Sequence, residues 1–417
     1  MKRPVFSGEV RSTRLLSPVA KRMISVFILS LLFPISILPL STAAEVATTS
    51  VSIHVGSVMA TIPVGSGRGA IAVNPTNGKV YVANWHSVSV IEGSTNAVVT
   101  TIPVSPPLSL DQLTDIAVNP TNGRVYVLSP SGLFAVIDGS TDTVIATTHV
   151  DVDRPRHIAV SPTNGKVYLT SASNDHFGYA PGLISVIDGS TNNVMNTIPV
   201  GFLPTDIAIN PSNDKVYAIS SLGSVSVIDG STNNVIANVT LSFSSPDIEV
   251  NAISVNPSNG RVYVISSVIN YISGSISGLI SVMDGSSNNV IATIRLNTSP
   301  YEIAVNPTSG KVYVTNLDSR SISVINGSTV IGTISLDTYA YQIAVNPTSG
   351  KVYVTNHDRS VFVISTVAGA NASPGGGIPE FPVQFVAVAS FTILVIASYL
   401  IVRRRTLPDN EARPVLR

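Results

Sequence analysis

Seven copies of an Ile-Ala-Val-Asn-Pro motif or a close variant, a repeat period near 45 residues and four short strand-like segments per repeat predict an all-β, seven-bladed β-propeller within the 417-residue chain. The motif prolines stand at 75, 120, 162, 211, 257, 307 and 347, with spacings of 45, 42, 49, 46, 50 and 40. A unit of this size buries its apolar faces only by stacking on its neighbours, so the repeats are expected to close into a ring.

From the amino end, residues 1–44 read as a secretory signal. Lys2, Arg3, Arg11, Arg14, Lys21 and Arg22 precede an apolar run from Met23 to Leu40 and a small-residue exit, Ser41-Thr42-Ala43-Ala44, with cleavage expected after Ala43 or Ala44. Pro34 and Pro39 would interrupt a spanning helix there. Residues 45–57 form a linker, and the propeller is expected over 58–366.

In the first repeat, strand a is expected at Ile71 to Asn74, b at Lys79 to Ala83, c at Ser87 to Ile91 and d at Val98 to Val104. Strand b is rich in Val and Tyr, residues that suit a pleated, buried surface. Pro75-Thr76-Asn77-Gly78 stops strand a and offers the positive φ values of a tight hairpin. Between c and d stands Glu92-Gly93-Ser94-Thr95-Asn96, which becomes Asp138-Gly139-Ser140-Thr141-Asp142 in the next repeat. These acids and amides are read as local backbone caps and not as ligands. Strands a, b and c occur seven times, but no strand d follows Ile364. The missing strand is found at Met59 to Val64, which matches Asn196 to Val200 and is expected to complete the seventh blade, leaving no open end of the ring.

After the repeats, residues 367–382 carry Gly375-Gly376-Gly377 and read as a linker. Val383 to Val402 is free of charge over 20 residues, which at about 1.5 Å per residue matches a hydrocarbon core of about 30 Å. Arg403-Arg404-Arg405 follows, so residues 383–402 are expected to span the membrane, with the tail 403–417 in the cytoplasm and the propeller outside. Pro379-Glu380-Phe381, the apolar span and the arginine cluster together resemble the PEF-type carboxy-terminal anchoring signals of archaeal surface proteins. That resemblance implies attachment to the cell envelope.

Tyr-Val-Ala-Asn at 81–84 and Tyr-Val-Thr-Asn at 313–316 and 353–356, each preceded by an Asn-Pro-Thr segment, resemble the YVTN-type β-propeller repeats of archaeal surface-layer-like and bacterial secreted proteins. The resemblance covers about 310 of the 417 residues, with departures at Tyr168-Leu169-Thr170-Ser171 and Tyr263-Val264-Ile265-Ser266. It implies the fold strongly. It implies little about function, because propellers host binding proteins and enzymes alike.

The absence of cysteine excludes disulfides and thiolate chemistry. The chain carries 24 basic and 24 acidic residues, but between 58 and 366 there are 13 basic against 19 acidic, which argues against a nucleic-acid surface. Sequons occur at Asn238, Asn297, Asn326 and Asn371. Signatures of a nucleophile elbow, a zinc protease or a phosphate loop are missing from the sequence.

In an up-and-down sheet the near-identical a–b and c–d turns share one face of the ring, and the variable b–c and d–a loops share the other, where binding is expected. The residues just before each strand a should ring the channel mouth there. Asp115, His157, Asp206, Glu302 and Gln342 are the polar members of that ring and the candidate ligand-binding set. Through their oxygens they could take a hard cation such as Ca2+, although no cofactor is required. Trp85, His86, Tyr179, Tyr271 and His357 on the b–c loops are candidate recognition residues, being of kinds enriched at interfaces or able to hydrogen-bond.

The expected function is therefore a membrane-anchored, non-catalytic surface module for binding, adhesion or envelope structure, with the membrane, other surface proteins or glycans as partners. The competing expectation is an extracytoplasmic metal-dependent lyase or lactonase with its site at the channel mouth. A signalling subunit is disfavoured, because a cytoplasmic tail of 15 residues is too short to fold.

Overall fold

The computed structural model describes residues 55–67, 69–106, 112–172, 181–241, 248–270 and 275–366. The expected signal and spanning segments, 1–44 and 383–402, lie outside the described residues, as do Tyr179 and Tyr271. The described residues contain 28 strands and no helix.

The strands form seven antiparallel sheets of four, each made of chain-consecutive strands except one. The exception is the seventh blade. Ala340–Val345, Val352–Asn356 and Ser360–Ser365 supply its three inner strands, and Ser57–Pro63 from the amino end supplies the outermost one. Ile62 lies opposite Val361 and Ser57 opposite Ser365. The observed strand begins and ends slightly earlier than the sequence expectation of Met59 to Val64, although Val64 N still donates to Arg359 O at 2.9 Å.

One detail makes this strand a true member of the repeat. Its ladder slips between Val58 and Ala60, leaving Met59 as the extra residue of a bulge. The same slip occurs in the outer strand of every other blade, with Val99, Ile145, Met195, Ile236, Ile291 and Ile331 at the corresponding place. A bulge bends and twists an edge strand, which discourages further strand addition. It also turns its residue outward, and Met59, Val99 and Met195 are each about half exposed.

Seven apolar clusters hold the ring, one at each blade-to-blade interface. Tyr81 and Val90 of blade one pack with Val125 and Ile137 of blade two. At the seam, Ile62 and Val361 of blade seven pack with Ile71 and Val80 of blade one. Each cluster contains the strand-b tyrosine of one blade, and all seven such tyrosines, from Tyr81 to Tyr353, are fully buried.

The repeated turns, read in sequence as hairpins and caps, do more than reverse the chain. Tyr81 Oη donates to Gly139 O of the next blade at 3.2 Å, and Tyr126, Tyr168 and Tyr217 repeat this bond to Gly189, Gly230 and Gly285 at 3.2, 3.2 and 3.3 Å. The basic residue two positions earlier grips the same carbonyl. Lys166 Nζ reaches Gly230 O at 2.6 Å, Arg124 reaches Gly189 O at 2.6 Å, and Lys351 reaches Gly93 O across the seam at 2.6 Å. Lys79 adds an ion pair with Asp142 at 2.7 Å.

A second belt runs through the a–b turns. Thr121, Ser212 and Thr308 donate to the motif prolines of the following blades, Pro162, Pro257 and Pro347, at 2.8, 2.7 and 2.9 Å. Thr348 closes the circle on Pro75 at 3.3 Å. The capping expectation also holds: Asp138 accepts from Ser140 N at 2.8 Å and Asp188 from Ser190 N at 2.7 Å, and the Ser140 and Ser190 hydroxyls, followed by these backbone bonds, lower both carboxyl pKa values.

The tetrad asparagines are buried and bond to serines of strand c, as Asn84 does to Ser89 at 2.9 Å and Asn316 to Ser323 at 3.0 Å. Blades two to five carry the shorter Ser129, Ser171, Ser220 and Ser266 at that position.

Candidate functional site

The expected mouth residues sit at the start of the innermost strands, on the face opposite the locked turns. Threonines of strand b fix several of them: Thr170, Thr315 and Thr355 accept the backbone N–H of His157, Glu302 and Gln342 at 3.0, 3.1 and 3.1 Å.

Asp115, His157 and Asp206 come together from blades two, three and four. His157 Nδ1 lies 3.7 Å from Asp115 Oδ2 and 3.6 Å from Asp206 Oδ1. Each aspartate also bridges two innermost strands. Asp115 accepts from Ile116 N at 2.8 Å and Ile158 N at 2.9 Å, and Asp206 accepts from Ile207 N at 2.7 Å and Ile253 N at 2.9 Å. Burial pushes the Asp115 carboxyl up to about 6 against the pull of His157 and the backbone donors, and it raises Asp206 as well. Glu302 is raised well above the usual range, first by burial and then by the negative charge of Asp206. The side chains of Asp115 and Asp206 keep 19% and 17% exposure and His157 keeps 34%, so the group faces the water of the channel.

Both oxygens of each aspartate are engaged by backbone N–H groups, and among the described residues no three His, Asp or Glu side chains form a group that could hold a metal ion.

Outside these carboxylates opens a cavity of about 940 Å³. It is lined by Trp85, His157, Gln342 and His357 from the expected set, and also by Arg154, Arg156, Arg359, Tyr301 and Tyr341. His86 is not on its wall and instead pairs its Nδ1 with Ser105 Oγ at 3.2 Å. Trp85 stands 44% exposed. Its backbone N–H donates to Ser66 O at 2.8 Å, and Leu113 N donates to its carbonyl at 2.9 Å, so two d–a loops hold it in place. Gly67, at φ 144°, lies against the indole; a Cβ there would be 3.2 Å from the ring.

Tyr301 and Tyr341 meet edge to face with ring centroids 5.9 Å apart, and Tyr339 meets His357 similarly at 6.4 Å. Arg320 stacks on Tyr339 at 4.6 Å from the centroid. A second hollow of about 460 Å³ lies by blade four, beside the exposed Phe202 and Leu222.

Arg156, Tyr301 and Tyr341 escaped the sequence reading although a signal existed. Each stands directly before a residue of the expected ring, His157, Glu302 or Gln342, one position upstream in the same proline register.

The fold and its mouth define a seven-bladed β-propeller with a pocket on the loop face. No protein-family model matches the chain, and no curated protein does either. Solved structures share the fold. A chain of Kuenenia stuttgartiensis hydrazine synthase aligns with TM-score 0.61 and 16% identity over 76% of this chain and 98% of its own. A chain of a mitotic checkpoint complex aligns with TM-score 0.61 and 14% identity over 80% and 99%. Chaetomium thermophilum Raptor aligns with TM-score 0.61 and 12% identity over 74% of this chain and 29% of its own. At these identities the likeness is one of fold alone.

Proposed function

We propose that this chain is a non-catalytic binding module displayed at the cell surface, which engages its partner through the loop face of the propeller. One observation carries the reading: the two faces are used differently. The turn face is occupied by blade-to-blade bonds from Tyr81, Lys166, Thr121 and their equivalents, whereas the loop face holds the cavity with the exposed Trp85. A concave, part-aromatic site on variable loops over a rigid scaffold is the common form of a recognition surface.

Support for export and anchoring comes from the sequence: the leader at 1–44, the apolar span at 383–402 and the arginines at 403–405. The YVTN-type repeats and the PEF-type anchor favour an envelope protein of the archaeal surface type. The engagement of Asp115 and Asp206 by backbone N–H groups favours a structural use of these carboxylates over a catalytic one.

The test has two arms. Protease added to intact cells should degrade the propeller and spare a tag placed after Arg417; loss of the tag with the propeller intact overturns the orientation. Separately, Trp85→Ala with His357→Ala should abolish binding of the displayed protein to isolated envelope material, and Ser94→Ala with Ser140→Ala on the turn face should not. The reverse pattern overturns the assignment of the binding face.

A further inference from the structure

We infer that the mouth cavity is an anion-recognition site for an acidic oligosaccharide, a sugar chain bearing carboxylate or sulfate groups. The inference rests on the binding-face reading above and names its ligand class. Its first support is a segregation of charge. Between residues 58 and 366 acids outnumber bases 19 to 13, yet the described wall of the cavity carries Arg154, Arg156 and Arg359 and no carboxylate. Chance placement in an acidic domain would favour the opposite.

Second, these three guanidinium groups are uncommitted. Among the described residues none of them forms an ion pair, in contrast to Lys79 with Asp142, and none stacks on a ring, in contrast to Arg320 on Tyr339. Of the acids at the mouth, Asp115 and Asp206 are engaged by backbone N–H groups, and Asp358 sits 3.7 Å from His357 Nδ1. A planar, permanently charged fork left free beside a cavity matches the two-oxygen geometry of carboxylate and sulfate.

Third, the arginines come from two separate blades, three and seven, and Trp85, Tyr301 and Tyr341 line the same cavity. A ligand that reaches both must carry more than one negative group. About 940 Å³ exceeds what a single sugar ring fills and suits a short chain, whose alternating apolar faces and hydroxyls fit rings interspersed with polar groups.

The test uses the full chain in detergent and calorimetry with three probes of equal length: an oligogalacturonate, a sulfated oligosaccharide and a neutral oligosaccharide. The expected result is binding of one or both acidic probes, weakened at least tenfold between 50 and 500 mM salt, with no measurable binding of the neutral one. Arg154→Gln/Arg156→Gln/Arg359→Gln should reduce acidic binding about 100-fold, and the three Arg→Lys changes should restore only part of it. The relative affinity for the two acidic probes decides between carboxylate and sulfate. Equal binding of the neutral probe, lost in Trp85→Ala but kept in the arginine variant, overturns the anion proposal and leaves the binding face standing. Absence of binding by all three probes overturns the proposal, and the envelope-binding assay with Trp85→Ala then judges the face on its own.

Discussion

The inter-blade tyrosine latch should give opposite signs at different blades when the same hydroxyl is removed. Tyr126 Oη donates to Gly189 O at 3.2 Å within a fully buried interface, so Tyr126→Phe removes a made hydrogen bond. Because Arg124 still donates to that carbonyl, no acceptor is stranded, and the cost should be about 1 kcal/mol. Tyr263 is equally buried, but its hydroxyl has no partner among the described residues. The reason is local. Tyr263 faces blade six, where Asn326 pairs with Thr329 and leaves a two-residue turn; in blade one Glu92 pairs with Ala97 and leaves four. A stranded hydroxyl costs about 1–3 kcal/mol of desolvation, so Tyr263→Phe should be neutral or stabilising by up to about 1 kcal/mol. For a domain of this size 1 kcal/mol corresponds to about 1.5 °C in Tm, so the comparison is best made on denaturation midpoints at constant slope. Equal destabilisation by Tyr263→Phe and Tyr126→Phe would refute the latch.

Two further outcomes follow from the packing and the buried carboxylates. Ile62→Ala, in the strand contributed by the amino end, should cost about 2–5 kcal/mol, as Ile198→Ala does in the corresponding strand of blade three, since both are almost fully buried; a neutral Ile62→Ala in chemical denaturation would show that the seventh blade does not need that strand. Stability should fall between about pH 4 and 6, by an amount of order 1–3 kcal/mol. The Asp115 pKa is raised to about 6 in the fold, so its contribution is full below the ordinary value of 3.8 and lost as pH rises through 6, with Asp206 and Glu302 shifted the same way by burial. The turn acids Asp138, Asp188, Asp229 and Asp284 are shifted down, Asp284 to about 2, and act at lower pH. Asp115→Asn should flatten the profile over that window in pH-resolved urea melts, and an unchanged profile would contradict the assignment.

Blade number, strand order and the closing strand were legible because each rests on local sequence: proline stops a strand, Asn-Gly turns it, and Thr61-Ile62-Pro63 repeats Thr197-Ile198-Pro199. The ring residues were legible for the same reason, since a fixed offset from a repeated proline gives a fixed place in every blade. What stayed hidden depends on contacts between blades. Lys79 and Tyr81 look like ordinary strand residues until Gly139 of the next blade is brought beside them, 60 and 58 positions away. The engagement of Asp115 was hidden too, because the N–H it accepts belongs to Ile158. The polar ring was legible as a set, while the arginines one position upstream or on neighbouring loops were not singled out as candidates.

The uneven variation along the repeat follows from these contacts. A c–d turn must present a carbonyl to the tyrosine and the basic residue of the preceding blade, so shortening one turn strands groups in another, as Gly327 does for Tyr263. The a–b turn is bound in the same way through its threonine or serine and the next proline. A b–c loop has fewer such obligations. Trp85 in blade one, Ser131 in blade two and His357 in blade seven occupy corresponding loops, and all three reach the same cavity with unrelated chemistry. Freedom on that face is what allows an acidic ring of near-identical blades to gather three arginines around one opening. The selective placement of charge there, against the composition of the domain, is therefore better explained by a ligand than by the requirements of the fold.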